Sequence, residues 1–397
     1  MKADIEALLD AHFSIDPDAP HDPASGLPLA VPAFGREEVA EAMAALVTGW
    51  ITMGKRVSAF EEAWSEQVGC PHGVAVNSGS SALLVMLSAM IEAGHLRRGQ
   101  EVIVPAVSWS TSLFAVAQAG LVPVLADVDA ETLCLRGSYA DPVLAVHLLG
   151  YLADVSAPIV LEDACGAHGA RLRGTPAGSI GHAAAFSFFF SHHITTGEGG
   201  MVTTSDGKLA DVMRSVRAHG WIRERSDRDA LAAAHPEIDP RFLFVTPGFN
   251  LRMTDLAAAF GVHQVVRLPG FVARRRANHR AWCAQIAALG LPVRAFPEPP
   301  DTVCASFAFP LLLEPGARRS RAEVCAVLES HNISTRPISG GNLARQPAAA
   351  RVPGLRLAGP LPVADAIHER GFFVGQSHAF TAEHGALLAG ALKEALA

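Results

Sequence analysis

The sequence predicts an α/β fold: a mostly parallel sheet covered on both faces by helices in a large domain, then a small C-terminal α+β domain. Three observations carry this. Short runs that are apolar throughout recur along the first two thirds of the chain, separated by stretches of helical period, as in parallel strands buried on both faces. With 397 residues, half of them apolar, the chain can bury a large core and divide into two lobes. Beyond about residue 265 the pattern changes to a long helix followed by a second set of strands and helices.

Residues 1–30, rich in Pro, Asp and Ala, read as an arm lying over the surface. Residues 31–265 form the large domain in this reading and 266–397 the small one. In the large domain, Gly35 to Val47 and Val57 to Val68 have the apolar spacing of helices. GVAVN (73–77), EVIVP (101–105), VPVLAD (122–127), AVHLLG (145–150) and PIVLED (158–163) read as buried strands, continued by AAAFSFF (183–189) and GMVTT (200–204). A helix from about Phe271 to Leu289 leads into CASFAFPLLL, a helix from Arg319, ISTRP, a helix near Ala364, GFFVG and a terminal helix. No internal repeat or low-complexity tract interrupts this order.

Composition excludes several function classes. A net charge of −7, with no basic run longer than Arg274-Arg275-Arg276, leaves no electrostatic footprint for nucleic acid or an anionic membrane. The six cysteines lie far apart with no CxxC pair, as buried thiols of a reducing compartment do, and supply no metal site. The amino terminus carries acidic residues instead of a secretory apolar stretch, and no apolar run is expected to span a membrane. A cytoplasmic protein is expected.

Ligands of an open parallel sheet bind beyond the carboxyl ends of its strands, and candidate chemical residues fall there. Gly79, Ser80 and Ser81 open a helix after the first strand; their backbone N–H groups and hydroxyls suit a phosphate, or an ordinary N-cap. Trp109 follows the strand ending at Pro105 and can either stack on a planar ring or pack in the core. Asp163 ends PIVLED, where a buried carboxylate needs a partner: a protonated pyridine nitrogen or the N–H groups of a helix it caps. In AAAFSFFFSHHITTGEGGMVTT (183–204) a strand runs into Ser187, the pair His192-His193 and a glycine-rich turn that allows close backbone approach to a ligand. Two adjacent histidines without a third ligand do not make a metal site.

Taken in order, GSSA, the ring-stacking aromatic, HLLG, EDACGAHGA, FSFxxxxHITTGEGG and GFNLRMTDLAAAFG resemble the DegT-type sugar aminotransferases over nearly the whole chain. The resemblance implies the aspartate-aminotransferase fold, fold type I of the pyridoxal phosphate enzymes. It also implies that the position after FSFxxx is the lysine that holds the cofactor covalently. Here that position is His192. The chain has 28 arginines and four lysines, Lys2, Lys55, Lys208 and Lys393, none at a strand end near Asp163.

Histidine cannot hold pyridoxal phosphate covalently, but its ordinary pKa suits proton transfer near neutrality. One branch of the family makes this exchange: the 3-dehydratases of nucleotide-linked 4-keto-6-deoxyhexoses, which use the pyridoxamine form. One kind acts on a GDP-linked sugar without a metal cluster; the other carries an iron–sulfur cluster on closely spaced cysteines. From Arg214 to Gly248 there is no cysteine, so no iron–sulfur cluster is expected, and AHGW (218–221) and RPISGGNLARQP (336–347) resemble the first kind.

The resemblance implies a lyase that removes the C-3 hydroxyl of a nucleotide sugar. Glutamate regenerates pyridoxamine phosphate and His192 is the acid/base. It implies that Gly79, Ser80 and Ser187 hold the cofactor phosphate, that Trp109 stacks on the ring and that Asp163 faces the pyridine nitrogen. Asn250 of a neighbouring subunit would complete the site in a homodimer. Arg252, His193 and His219 are candidates for substrate contacts, Arg252 reading equally as a surface ion pair. Gly166 departs from the family, which carries glutamine there. Two rival readings stand beside this one: the same cofactor used on another keto sugar, nucleoside or secondary-metabolite ketone, and a catalytically silent sensor or partner subunit.

Overall fold

The computed structural model describes residues 2–397. Helices α1 (Lys2–His12), α2 (Arg36–Val47) and α3 (Lys55–Val68) precede the first strand. The large domain then follows as β1 (His72–Val76), α4 (Gly79–Glu92), β2 (Glu101–Pro105), α5 (Ser110–Gln118), β3 (Val122–Ala126), β4 (Val143–Val146), β5 (Val160–Asp163), β6 (Ala183–Ser187), β7 (Gly200–Thr204), α6 (Gly207–Arg217) and the short α7 (Arg228–Ala234). The 33-residue α8 (Asp255–Ala287) leads to β8 (Val293–Ala295), β9 (Ala308–Leu313), α9 (Arg321–Ser330), β10 (Thr335–Pro337), β11 (Arg356–Leu357), α10 (Pro362–Arg370), β12 (Gly371–Gly375) and α11 (Ala382–Leu396).

The main sheet has the order β1-β7-β6-β5-β4-β2-β3-β11. Only β7 runs against its neighbours, so the other strands bring their carboxyl ends to one edge. Both faces are covered. On one, Leu83, Met86, Val116 and Met213 from α4, α5 and α6 pack on the strands; on the other, Phe60 and Trp64 of α3 and Leu268 of α8 pack against Phe186 and Met201. The small domain is a four-stranded antiparallel sheet, β8-β9-β12-β10, whose core includes Trp282, Phe309, Phe372 and Leu388.

Four expectations are corrected. The arm lies mostly on the surface but is not confined to it: Leu27 is fully buried in the small domain and bridges Ile333, while Ile5 and Leu9 of α1 are buried as well. A boundary at 265/266 falls inside α8, one continuous helix, and β11 returns from the small domain to pair with β3 of the main sheet. AVHLLG is strand only to Val146, because Leu149 and Gly150 turn through the left-handed region at φ 55° and 92°. Finally, α8 is long and apolar enough by composition to cross a membrane, with a mean hydropathy of 1.3 over its most apolar window. In the fold it lies against α2, α3 and α11, with buried Arg275 and His279 on its inner face, as a core helix joining the two domains does.

Candidate active site

The carboxyl edge of the main sheet gathers the residues singled out by sequence. β1 ends at Val76, and Ser78 caps α4 by accepting from Ser81 N–H at 3.1 Å. The first-turn N–H groups of Gly79 and Ser80 have no acceptor within the helix and carry its positive dipole end. Glycine is required at 79 by packing: a Cβ there would stand 2.5 Å from the Cβ of Ser187. Ser187 closes β6 and is buried beside that helix terminus. Ser80 Oγ donates to Thr111 Oγ1 at 3.3 Å, joining the amino ends of α4 and α5. Two helix termini thus converge on one spot, an arrangement that favours an anion.

Asp163, only 6% exposed, closes β5. Ser112 Oγ in the first turn of α5 donates to its Oδ2 at 2.6 Å, and Cys165 N–H donates to Oδ1 at 3.2 Å. Asp163 thus takes the role of an acceptor without capping a helix, and no lysine, arginine or histidine pairs with it among the described residues. A buried carboxylate served by two neutral donors has lone pairs left for a cationic N–H. Trp109, immediately before α5, is 65% exposed, so it is not core packing. These residues fit pyridoxal or pyridoxamine phosphate: an anion seat at Gly79, Ser80 and Ser187, a carboxylate for the pyridine nitrogen, and an exposed indole for its ring.

His192 lies in the loop between β6 and β7. Its ring Nδ1 is 3.3 Å from the carbonyl oxygen of Phe189, and since a carbonyl only accepts, Nδ1 carries the proton. Nε2 is left with its lone pair. Although part of its surface is open, the imidazole is enclosed by protein. That enclosure, reinforced by the positive charge of Arg275, holds its pKa down at about 4 against the opposing pull of the Phe189 carbonyl. At neutral pH it is an uncharged base. None of the described lysines can replace the missing one: Lys55, Lys208 and Lys393 are all exposed, at the start of α3, in the first turn of α6 and in α11; the side chain of Lys2 lies outside the described residues.

The tentative substrate contacts divide. His193 is corrected: its ring is fully buried, with Nε2 3.0 Å from the Ala305 carbonyl oxygen and Nδ1 3.3 Å from Nδ1 of His168, so it holds the loop from behind. Arg252 has no carboxylate partner; its Nε donates to Asn250 Oδ1 at 3.1 Å, and it lines a cavity of about 410 Å³ with Asn77, Phe190, Thr196 and Phe260. The surface ion pair read as its alternative is not formed among the described residues. Asn250 and His219 are exposed, with His219 edge-on to Trp221 at 5.5 Å. At Gly166 a Cβ would find its nearest neighbour at 3.6 Å, so the missing side chain reflects no steric limit. Sequence reasoning missed Ser112, His168, Arg275 and Phe307. Of these, Ser112, three residues after Trp109, and His168, within EDACGAHGA, carried a local signal.

With this geometry in view, the comparisons are unambiguous. The model of the DegT/DnrJ/EryC1/StrS aminotransferase family matches residues 32–393. The chain belongs to that family. It is 34% identical over 370 residues to a GDP-4-keto-6-deoxy-D-mannose 3-dehydratase of Yersinia pseudotuberculosis, covering 88% of this chain and 93% of that one. Its fold matches a solved E. coli GDP-4-keto-6-deoxy-D-mannose-3-dehydratase with bound hydrated pyridoxal phosphate at a TM-score of 0.85, with 28% identity over 92% of this chain and 99% of that chain. A GDP-4-keto-6-deoxymannose-3-dehydratase holding a trapped pyridoxal phosphate–glutamate geminal diamine matches at 0.82, 27% identical over 94% of this chain and 100% of that chain. The expected aspartate-aminotransferase-like fold, with a mostly parallel sheet, is borne out by these family members.

Proposed function

We propose that this chain is a pyridoxal/pyridoxamine phosphate-dependent lyase that removes the C-3 hydroxyl of a GDP-linked 4-keto-6-deoxyhexose, with glutamate as amino donor. The observation that carries the proposal is His192: a neutral imidazole with a free Nε2 at the position of the family's lysine, in a chain that keeps the Asp163 carboxylate and the anion seat at Gly79, Ser80 and Ser187. Pyridoxamine phosphate, when bound, would supply an amine for the substrate ketone and an electron-accepting pyridine ring. The N–H groups and hydroxyls of Gly79, Ser80 and Ser187 hold its phosphate, and Trp109 covers the ring. Asp163, oriented by Ser112, keeps the pyridine nitrogen protonated. Nε2 of His192 takes a proton from the cofactor's methylene carbon and returns a proton during departure of the hydroxyl.

In this reading the site is completed in a homodimer by Asn250 of the second subunit, and Arg252 contacts a substrate anion or the carboxylate of the amino donor. The exposed Trp50, Phe242 and Phe244 offer apolar surface for that contact. Six unpaired cysteines suit a reducing cytoplasm.

Incubation with glutamate, pyridoxal phosphate and GDP-4-keto-6-deoxymannose should yield a product one oxygen atom lighter by mass spectrometry. Borohydride should leave no phosphopyridoxyl group on the chain. A covalent adduct on any lysine, or no turnover of this or any nucleotide-linked keto sugar, overturns the proposal. Replacing Asp163 with Asn keeps the acceptor for Ser112 but loses the charge. A charged hydrogen bond is worth about 1.5–3 kcal/mol, so kcat should fall about 10- to 100-fold in steady-state assays.

A further inference from the structure

The imidazole of His192 is held between two rings that come from elsewhere in the chain. Phe307 lies against it with ring centroids 5.0 Å apart and planes 33° apart. His168 meets it at 5.7 Å and 67°. Phe307 is the last residue before β9, so it belongs to the small domain, more than a hundred residues from the loop it touches. A single hydrogen bond of 3.3 Å from Nδ1 to the Phe189 carbonyl is a weak restraint on the plane of a ring.

The segment 305–307 is itself fixed from two directions. Phe307 N–H donates to the Leu149 carbonyl at 3.0 Å and Ala305 N–H to the Gly150 carbonyl at 3.2 Å, which ties the segment to the turn after β4. From α8, Arg275 Nη1 donates to the carbonyls of Ser306 and Phe307, at 3.3 and 3.2 Å, and to that of Gln376 after β12. Arg275 is buried and has no carboxylate partner among the described residues, so these carbonyls are what compensate its charge. Ser306 sits at φ 50°, a conformation that a residue with a Cβ adopts only when its surroundings hold it there. The Ala305 carbonyl in turn accepts from His193 Nε2.

We infer that Phe307 is a positioning residue for His192, held by Arg275, which fixes the plane of the imidazole and keeps water from that side of it. The inference rests on reading His192 as the base. Around His192 the titratable and charged groups are His168 and His193 from the large domain and Arg275 from α8; its other neighbours are the Phe189 carbonyl and the Phe189 and Phe307 rings. Loss of the Phe307 face lets the ring turn about its side-chain bond and admits solvent. A misplacement of about 1 Å at a reacting group can cost about 100-fold.

The test uses Phe307→Ala, Phe307→Leu, which fills the space without a flat face, and Phe307→Tyr, which keeps the face. Both Ala and Leu should lower kcat about 10- to 100-fold with KM and cofactor affinity nearly unchanged, while Tyr restores the rate. A readout independent of turnover is the titration of His192 by carbon-13 histidine NMR, its resonance identified by loss in His192→Asn. In the unchanged protein it should titrate near 4; in the Ala and Leu variants the midpoint should climb toward the ordinary value of about 6.5, and the acid limb of kcat/KM should move with it. A folded Phe307→Leu protein with the original rate and the original His192 titration overturns the inference, whether or not the Ala variant folds. Activity surviving in His192→Asn would instead overturn the base assignment, leaving the NMR result readable.

Discussion

Replacing His192 with Asn is expected to lower dehydration about 1,000-fold, the middle of the range for loss of a positioned general base, while cofactor affinity stays close to that of the unchanged enzyme. The asymmetry follows from the geometry. The anion seat at the amino ends of α4 and α5 and the carboxylate of Asp163 are built from other elements and do not touch the His192 side chain. Asparagine can donate to the Phe189 carbonyl as Nδ1 does, so the loop keeps its shape and only the basic lone pair of Nε2 disappears. The pH profile gives a second check. Because enclosure holds the imidazole near 4, the neutral form is present across the physiological range, and the acid limb of kcat/KM attributable to His192 should appear only as pH falls toward that value. Titration of cofactor by absorbance alongside steady-state assays separates the two quantities. Equal loss of binding and rate would mean that His192 serves the seat and is not the base.

Arg217→Met is expected to destabilise the protein by about 3–5 kcal/mol, the cost of removing one partner from a buried ion pair. Arg217 at the end of α6 is 2% exposed. Its Nη1 donates to Glu61 Oε1 at 2.7 Å and to the Ala75 carbonyl at 2.8 Å, and its Nη2 donates to Glu224. Methionine fills the space but leaves both carboxylates without their cation. The Arg217 carbonyl also accepts from Leu251 N–H, and Asn250 and Arg252 bridge to Ala218 and Val76. The segment that carries Asn250 is thus tied by backbone bonds to the end of α6 and to β1. Denaturant unfolding measures the loss, and Glu61→Gln with Glu224→Gln in the same chain should recover part of it through a double-mutant cycle. No recovery would place the cost in packing and not in charge.

Much of this was legible in residues taken locally. Runs such as EVIVP and GMVTT became strands at the expected positions because their apolar side chains can be buried only in a sheet covered on both faces. AVHLLG looked the same and was not: its last residues turn so that the Leu149 and Gly150 carbonyls can accept from the small domain, a partner some 150 residues away that leaves no trace in the run itself. The N-terminal arm misled for a related reason. Its composition is that of a surface segment, yet Leu27 completes the core of a domain made by the other end of the chain. Asp163, Ser187 and Gly79 were found because each stands at a strand end or helix start in its own motif, and His192 because it follows FSFxxx at the position where the resembling family carries its lysine. His193 was misjudged because adjacent residues in a loop point to different sides, and sequence order does not say which side is solvent.

The sequence by itself determined the family, the exchange of lysine for His192 and the absence of a substitute lysine among the motifs, since these depend only on residue identity and spacing. Tertiary structure alone decided how the histidine is equipped: its Nδ1 proton on Phe189, its depressed basicity, and the faces presented by His168 and Phe307. Those properties come from burial and from side chains brought together by the main sheet, α8 and the small domain. A pKa or a ring plane is set by everything within a few ångströms, and few of those neighbours are close in sequence.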